Sequence, residues 1–419
     1  MSRLLQLLPV PTGDRVLSLI PRLHTALSGS GPALLPVPAD DDVETARLAT
    51  TLAAGTALAD WEDDPHDPTA LVVATSGSTG TPKGALLPAA ALIASAEATR
   101  ARLSTGRDPE HRQIAAQWLL TLPATHIAGL QVLLRAVAAG TEPTVLDTAK
   151  SFTADRFTAA VERMPAGPRF TSLVPTQLVR VLRDPDAATA LTTFTAVLVG
   201  GAATPQALRE DAEQAGVVLV TTYGMSETCG GCVYNGAPLD RVTLSTDAEV
   251  EDQPGRVSIT GPVVARGYRD MARHTSFPRT SGRYRTFLTD DLAAVERGRW
   301  QVVGRIDDVI ITGGVKIDPA VVESVLLRVT GVAAVIVTGI PDPDWGQAVV
   351  AVVVPDAAGP PGLENLRRAA SYANGPAAAP RHLLLVDNIP ERGIGKPDRS
   401  AVQELAIRAF GIAPRAGSR

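Results

Sequence analysis

The spacing of apolar and polar positions changes twice along the chain. Between about residues 69 and 225, short apolar runs alternate with Ala- and Leu-rich segments of helical period. TALVVAT (69–75), QWLLTLP (117–123), RFTSLVP (169–175), AVLVGG (196–201) and VVLVTTYG (217–224) read as buried strands, because they are short, nearly continuous in apolar residues and flanked by turn formers. AALIASAEATRARL (90–103), HIAGLQVLLRAVAAG (126–140), TQLVRVLRD (176–184) and PQALREDAEQAG (205–216) read as helices. The last of them opens on Pro and closes on Gly. Strands alternating with helices predict parallel sheets covered on both faces. Residues 1–65 predict helices joined by Pro-containing loops, ending in the acidic stretch Asp60 to Asp67.

From about residue 240 the period shortens. RVSITG (256–261) and RWQVVGR (299–305) predict a more antiparallel, barrel-like piece. After Arg305 a separate unit begins: DPAVVESVLLRV (318–329) as a helix, VAAVIVTGI (332–340) and AVVAVVV (348–354) as strands, then the helix ENLRRAASYAN, the strand HLLLVDNIP and a basic tail. The expected fold is mixed α/β, with a large domain over 1–306 and a small α+β domain over 307–419, divided near Asp307.

Composition narrows the function classes. The chain has 419 residues, 45 % hydrophobic and 20 % charged, which is too long for one ordinary core. A net charge of −5 supplies no general attraction to nucleic acid or to an anionic membrane. No apolar run is long enough to span a bilayer. The N-terminal stretch is broken by Pro9, Pro11, Asp14 and Arg15 and does not read as a signal peptide, so the cytosol is the expected compartment. Nothing in the chain excludes a homo-oligomer. Cys229 and Cys232 stand in CGGC without the further ligands a zinc site requires, and read as reduced thiols in a Gly-rich turn.

The densest chemistry lies in TSGSTGTPKG, Thr75 to Gly84. Three glycines, five hydroxyl residues and one lysine in ten positions suit a polyphosphate: glycine lets the backbone approach, N–H and hydroxyl groups donate, and Lys83 supplies charge. Pro82 before Lys83 and Gly84 after it depart from the P-loop NTPase pattern. The run reads as lying between a strand and a helix.

This loop resembles the phosphate loop of the adenylate-forming superfamily of acyl- and aryl-CoA ligases and adenylation domains. Further motifs follow in that family's order. TTYGMSETCGG (221–231) is similar to its adenine-binding turn, GGAAT (200–204) to its second adenine-contacting loop, and LPATHIAGL (122–130) to the segment beside its acyl pocket. FLTDDLA (287–293) matches its T-G-D-L segment with Asp290 in place of Gly. GRIDDVIITGG (304–314) and PERGIGKPDR (390–399) match its hinge and its final lysine motif. The resemblance implies nucleotide contacts at Thr75, Ser76, Gly77, Ser78, Thr79, Gly80, Lys83, Gly201, Ala202, Thr222, Tyr223, Gly224, Met225, Ser226, Asp291 and Arg305. It implies Mg²⁺ at Glu227 with Thr79, a hinge at Asp307, coenzyme A contacts at Gly313 and Gly314, and catalytic roles for Lys396, His126 and Glu227.

The short N-terminal stretch and YGMSETCGGCVYNGAPLD are most similar to the short-form o-succinylbenzoate–CoA ligases of menaquinone biosynthesis. That branch implies ATP, Mg²⁺ and coenzyme A together with an aromatic dicarboxylic acid. Arg135, His126 and Thr176 are candidates for the acid pocket. A buried Arg135 needs an anionic partner, either a structural Asp/Glu or the second substrate carboxylate. Ligation of another acid, loading of a carrier protein and a non-catalytic nucleotide-binding module are the competing readings. No carrier-domain sequence follows Arg419, and Lys396 and Glu227 speak against the last.

Overall fold

In a computed structural model of the chain, residues 3–75, 81–104, 115–147, 149–249, 253–278, 282–392 and 396–411 are described. The chain divides into two compact units. One holds Met1–Ser245 with Ser258–Thr289, and the other holds Thr246–Val257 with Asp290–Arg419.

The first sheet corrects the reading of residues 1–65, which contain two strands as well as helices. β1 (Leu5–Val10) and β2 (Ala33–Pro38) run parallel, followed by β3 (Thr69–Ala74) and β4 (Gly84–Pro88). The prolines that argued against strands are tolerated by position. β2 pairs with β3 only at Leu34↔Leu71, so Pro36 and Pro38 lie beyond that contact and owe it no donor. β4 runs antiparallel to β3, so the Gly-rich loop connects two strands. The helix Ala89–Ser104 starts only after β4.

The second sheet has the order β11-β10-β9-β8-β7-β5-β6: β5 (Gln117–Leu120), β6 (Thr144–Val145), β7 (Arg169–Leu173), β8 (Ala196–Val199), β9 (Leu219–Met225), β10 (Gly230–Tyr234) and β11 (Ala237–Pro238). β6, β5, β7, β8 and β9 run parallel, as the alternation predicted, while β10 turns back antiparallel on β9. Phe157, Leu178, Leu191, Val197 and Val199 are among the buried residues that close one face. The helix Ile127–Ala139 ends on Gly140 in the left-handed conformation (φ 68°), the cap its sequence predicts. Burial pushes both cysteine thiols up, Cys232 to about 12 and Cys229 beyond it, so neither is an available thiolate near neutral pH.

A third sheet orders β12 (Thr243–Thr246), β13 (Gly255–Gly261), β14 (Arg285–Glu296) and β15 (Arg299–Arg305). In the second unit, β16 (Ile310–Thr312) and β17 (Val315–Ile317) form a hairpin across Gly313–Gly314, with φ of 55° and 79°. Two consecutive positive φ angles are what a two-residue type I′ hairpin demands, and glycine meets that demand without strain. β18 (Val332–Asp342) and β19 (Gly346–Pro355) carry the valine runs, with β20 (His382–Leu385) alongside β19. These runs are continuous because both faces are covered. Val335, Val337, Val349 and Val353 pack with Val322, Leu326 and Leu366. Ile336, Ile340, Val350 and Val352 pack with Val402 and Ala406. The strand read over 382–390 ends at Leu385. Among the described residues no helix is long and apolar enough to cross a membrane.

Candidate active site

Parallel strands of an open α/β sheet deliver ligand-binding loops at their carboxyl ends. The first unit places most of the residues expected to form the site there. His126 follows β5, Thr176 follows β7, Gly201 and Ala202 follow β8, and Tyr223 to Met225 end β9, with Ser226 and Glu227 in the turn after it. These four strands are adjacent in the sheet. Gln177 ties two of the loops together: its amide donates to the Thr121 carbonyl at 3.2 Å while its Oε1 accepts from the Val174 N–H at 3.1 Å. Thr222 donates from Oγ1 to the Val199 carbonyl at 3.2 Å, joining the ends of β8 and β9. Every side chain of β9 is half-exposed.

The turn after β9 is held tightly. Thr228 Oγ1 accepts from the Met225 N–H at 3.0 Å. Gly224 faces the returning strand so closely that an added Cβ would collide with the Gly230 carbonyl oxygen and lie 2.6 Å from the Gly231 Cα. Both obstacles are backbone, which cannot swing aside. Gly224→Ala is therefore expected to cost about 1–3 kcal/mol of stability and to raise the KM for ATP. Thermal unfolding and ATP-dependent kinetics check this, and an unchanged melting temperature would contradict the close packing.

Glu227 is buried and accepts at Oε1 from the Tyr268 hydroxyl at 2.7 Å. Tyr268 is positioned by pairing of residues 266–269 with β4: Leu86 donates to the Gly267 carbonyl at 2.9 Å and Arg269 to the Gly84 carbonyl at 2.8 Å. Lys83 immediately precedes β4, so the same pairing brings its ammonium 5.1 Å from the centre of the Tyr268 ring. Lys83 Nζ also lies 3.1 Å from Nε2 of His274, whose ring meets Tyr268 edge-on at 4.8 Å. Lys83, Glu227, Tyr268 and His274 form one cluster at the mouth of the Gly-rich loop. Thr75 closes that loop's base by donating to the Lys83 carbonyl at 2.8 Å. Ser76, Gly77, Ser78, Thr79 and Gly80 lie outside the described residues.

The cluster suits a magnesium–polyphosphate. Among the described residues the cluster offers the buried carboxylate of Glu227 and the ammonium of Lys83, a set that matches a cation drawing most of its ligands from phosphate and water. Tyr268 and His274 escaped the sequence reading. The signal was the scarcity of aromatics: the chain has only five tyrosines, and one stands in ARGYRD.

Arg135 departs from the first of its two expectations, a structural Asp/Glu partner. It is buried, but among the described residues its partners are the Tyr234 hydroxyl at 3.3 Å and the Trp118 ring face at 5.2 Å. Its Nε has no partner among the described residues. His126, exposed at the N-cap, stands nine residues earlier on the same helix. At 1.5 Å per residue this separates the two by about 13 Å along the axis, and the structure does not bring them together.

In the second unit, Asp291 and Arg305 face each other across β14 and β15 and pair at 2.8 Å. Arg305 also grips Asp307 with two bonds of 2.8 and 2.9 Å. These carboxylates hold the Arg305 guanidinium well above its usual value despite burial. Asp290, which stands where the motif has Gly, lies within a regular strand and pairs with Arg256 at 2.7 Å. It needs no turn geometry there. The N–H of Gly313 donates to the Trp345 carbonyl at 2.9 Å. Lys396 lies in β22 (Lys396–Pro397), paired with β21 (Glu391–Arg392).

The AMP-binding enzyme family matches residues 32–269, and the AMP-binding enzyme C-terminal domain matches residues 321–396. The chain belongs to the AMP-binding enzyme family. Among its relatives is a probable 2-succinylbenzoate–CoA ligase from Mycobacterium tuberculosis, 42 % identical over 94 % of this chain and 97 % of that protein. The Escherichia coli 2-succinylbenzoate–CoA ligase is 31 % identical over 73 % of this chain and 62 % of its own length. The o-succinylbenzoate CoA synthetase from Bacillus subtilis, solved with its acyl-adenylate intermediate, shares the fold with a TM-score of 0.76 at 22 % identity, over 96 % of this chain and 88 % of that one. The ATP-bound MatB from Rhodopseudomonas palustris gives 0.81 at 21 % identity, over 98 % and 90 %.

Proposed function

We propose that the chain is an ATP-dependent 2-succinylbenzoate–CoA ligase, with the place in menaquinone biosynthesis that the resemblance implies. The observation that carries the adenylating half is the cluster of Lys83, Tyr268, His274 and Glu227 at the mouth of the Gly-rich loop. The choice of acid is supported by the 42 % identical relative that matches nearly end to end.

A carboxylate is a poor acyl donor because oxide is a poor leaving group. Attack of its oxygen on the α-phosphorus of ATP forms a mixed anhydride, and the bond to pyrophosphate breaks. Attack of the coenzyme A thiol on the acyl carbon then forms the thioester; AMP departs and the thiol proton is released. The protein must position the partners and neutralise phosphoryl charge. Lys83 would neutralise charge on the β- and γ-phosphates, with the donors that the Gly-rich motif implies. Glu227 would hold Mg²⁺, which supplies charge neutralisation at the phosphates. Tyr223, Gly201 and Ala202 face the adenine. Asp291 accepts from the ribose hydroxyls, a pairing suited to a vicinal diol. Lys396 is assigned to the first step and the Gly313–Gly314 turn to the second.

The substrate has two carboxylates. The first-turn N–H groups of the helix Ile127–Ala139 receive no side-chain cap. Together with His126 and Thr176 they offer donors to the carboxylate that is not activated. A panel of acids assayed for ATP- and CoA-dependent thioester formation tests this reading. The expected result is a preference for 2-succinylbenzoate of about 100-fold or more in kcat/KM over benzoate, because a site built for a second carboxylate is left with unpaired donors by an acid that lacks it. Equal rates with benzoate or medium-chain fatty acids would overturn it.

A further inference from the structure

One short segment grips Glu227 at two places. The Ala265 N–H donates to its main-chain carbonyl at 2.8 Å, and three residues further on the Tyr268 hydroxyl donates to its carboxylate at 2.7 Å. The first bond fixes where the residue stands, and the second fixes how its side chain points. Tyr268 is itself held from several sides. Its backbone bridges to Ala85 of β4, between the bonds from the Arg266 N–H to the Leu86 carbonyl and from the Arg269 N–H to the Gly84 carbonyl, both 2.8 Å. The residue is 4 % exposed, and its ring meets His274 and Phe277 edge-on at 4.8 and 5.1 Å. Phe277 rests in turn on Phe287 at 5.0 Å. A ring anchored through its backbone and by two other rings has little room to carry its hydroxyl away from Glu227.

We propose that Tyr268 is a positioning residue for the magnesium site: its hydroxyl holds the Glu227 carboxylate in the orientation from which it meets the metal, and so sets how strongly Mg²⁺ binds with the nucleotide. This rests on the reading of Glu227 as the magnesium ligand. The donor chemistry agrees with the role. An arginine or lysine in the same place would offset the carboxylate charge that attracts a cation, whereas a phenol is neutral and orients the group with its charge intact. A glutamate side chain otherwise loses its rotamer freedom only when the metal arrives, and a bond that fixes it beforehand lowers that cost.

The test uses equilibrium binding and needs no turnover. The dissociation constant of ATP is measured by calorimetry with Mg²⁺ present and with the metal removed by chelation, and the ratio of the two is the tightening that Mg²⁺ supplies. Tyr268→Phe keeps the ring beneath Lys83, at 5.1 Å from its ammonium in the native protein, and loses only the hydroxyl. It is expected to bind metal-free ATP as wild type does and to lose about tenfold of the tightening, the lower end of what removal of a bond to a metal-ligating group costs. In a Glu227→Gln background the same substitution should change nothing further, because the residue through which Tyr268 acts has lost its charge. A Phe variant that keeps the full tightening overturns the proposal. So does one that loses metal-free and metal-bound affinity alike, which is the mark of packing alone, and so does a loss that adds in full to that of Glu227→Gln. Wild type without any tightening, or a Glu227→Gln variant that retains it, overturns the reading of Glu227 as the ligand, whereas tightening lost in Glu227→Gln and kept in Tyr268→Phe overturns the role of Tyr268 alone.

Discussion

Lys396→Ala is expected to lower adenylate formation by about 10²–10³-fold, the scale seen when one group aimed at developing transition-state charge is removed, and to leave thioester formation from a preformed adenylate within a few-fold of wild type. The expectation follows from the position of Lys396 in PERGIGKPDR and from how its backbone is held. β21 and β22 form a ribbon of two residue pairs. The ribbon is anchored just beyond Lys396: Asp398 donates to the Pro390 carbonyl at 2.8 Å and caps the following helix at the Ala401 N–H, 3.1 Å. Arg399 reaches Glu323 at 2.8 Å and Asp308 at 3.2 Å. Those bonds survive truncation at residue 396, so the loss should be chemical and leave stability unchanged. ATP–pyrophosphate exchange measured beside thioester formation from synthetic adenylate decides it. Undiminished exchange in the variant would sink the assignment.

The largest stability effect is expected at Arg269. Its guanidinium pairs with Glu62, and the two are 5 % and 0 % exposed. Arg269 also donates to Thr56 Oγ1 at 2.6 Å and to the Ala57 carbonyl at 3.2 Å, while Glu62 accepts from the N–H groups of Ala59 at 2.9 Å and Asp270 at 2.7 Å. Removing one partner leaves the other as an uncompensated buried charge, which costs about 3–5 kcal/mol. Arg269→Met should therefore lower the unfolding midpoint in urea sharply. Arg269→Met combined with Glu62→Leu should recover part of the loss, because no lone charge remains. A single variant within 0.5 kcal/mol of wild type, the scale of an ordinary surface substitution, would show that the pair is not desolvated in solution. The site has a stake in this pair, since Arg269 adjoins Tyr268 and its backbone is held to Gly84, the residue after Lys83.

Much of the architecture was legible where one signal dominated. The alternation of apolar strands and helices between 69 and 225 announced the parallel sheet, and Gly140 announced its helix end, because burial on both faces and a left-handed cap each leave a local mark. Two strands near the N-terminus were hidden because their prolines count against strands in any local scale, and only the short reach of β2 against β3 shows why they are harmless there. The strand β4 was hidden in the same way, by the helix that follows it.

By itself, the order of motifs in this chain set the family and the expected chemistry: a loop for polyphosphate, a turn for a nucleotide, a carboxylate for a hard cation and a lysine near the end. These depend on residue type and on neighbours in sequence, which a linear reading contains. The tertiary structure alone decided which distant groups share a site. Lys83 and His274 are separated by 191 positions and meet because the 266–269 segment pairs with β4. Asp290 is explained only by Arg256 on a neighbouring strand. Arg135 is buried beside Tyr234 and Trp118, partners that lie 99 and 17 positions away in the sequence. Contacts of this kind depend on strand order and helix rise across the whole fold, and no local pattern of residues encodes them.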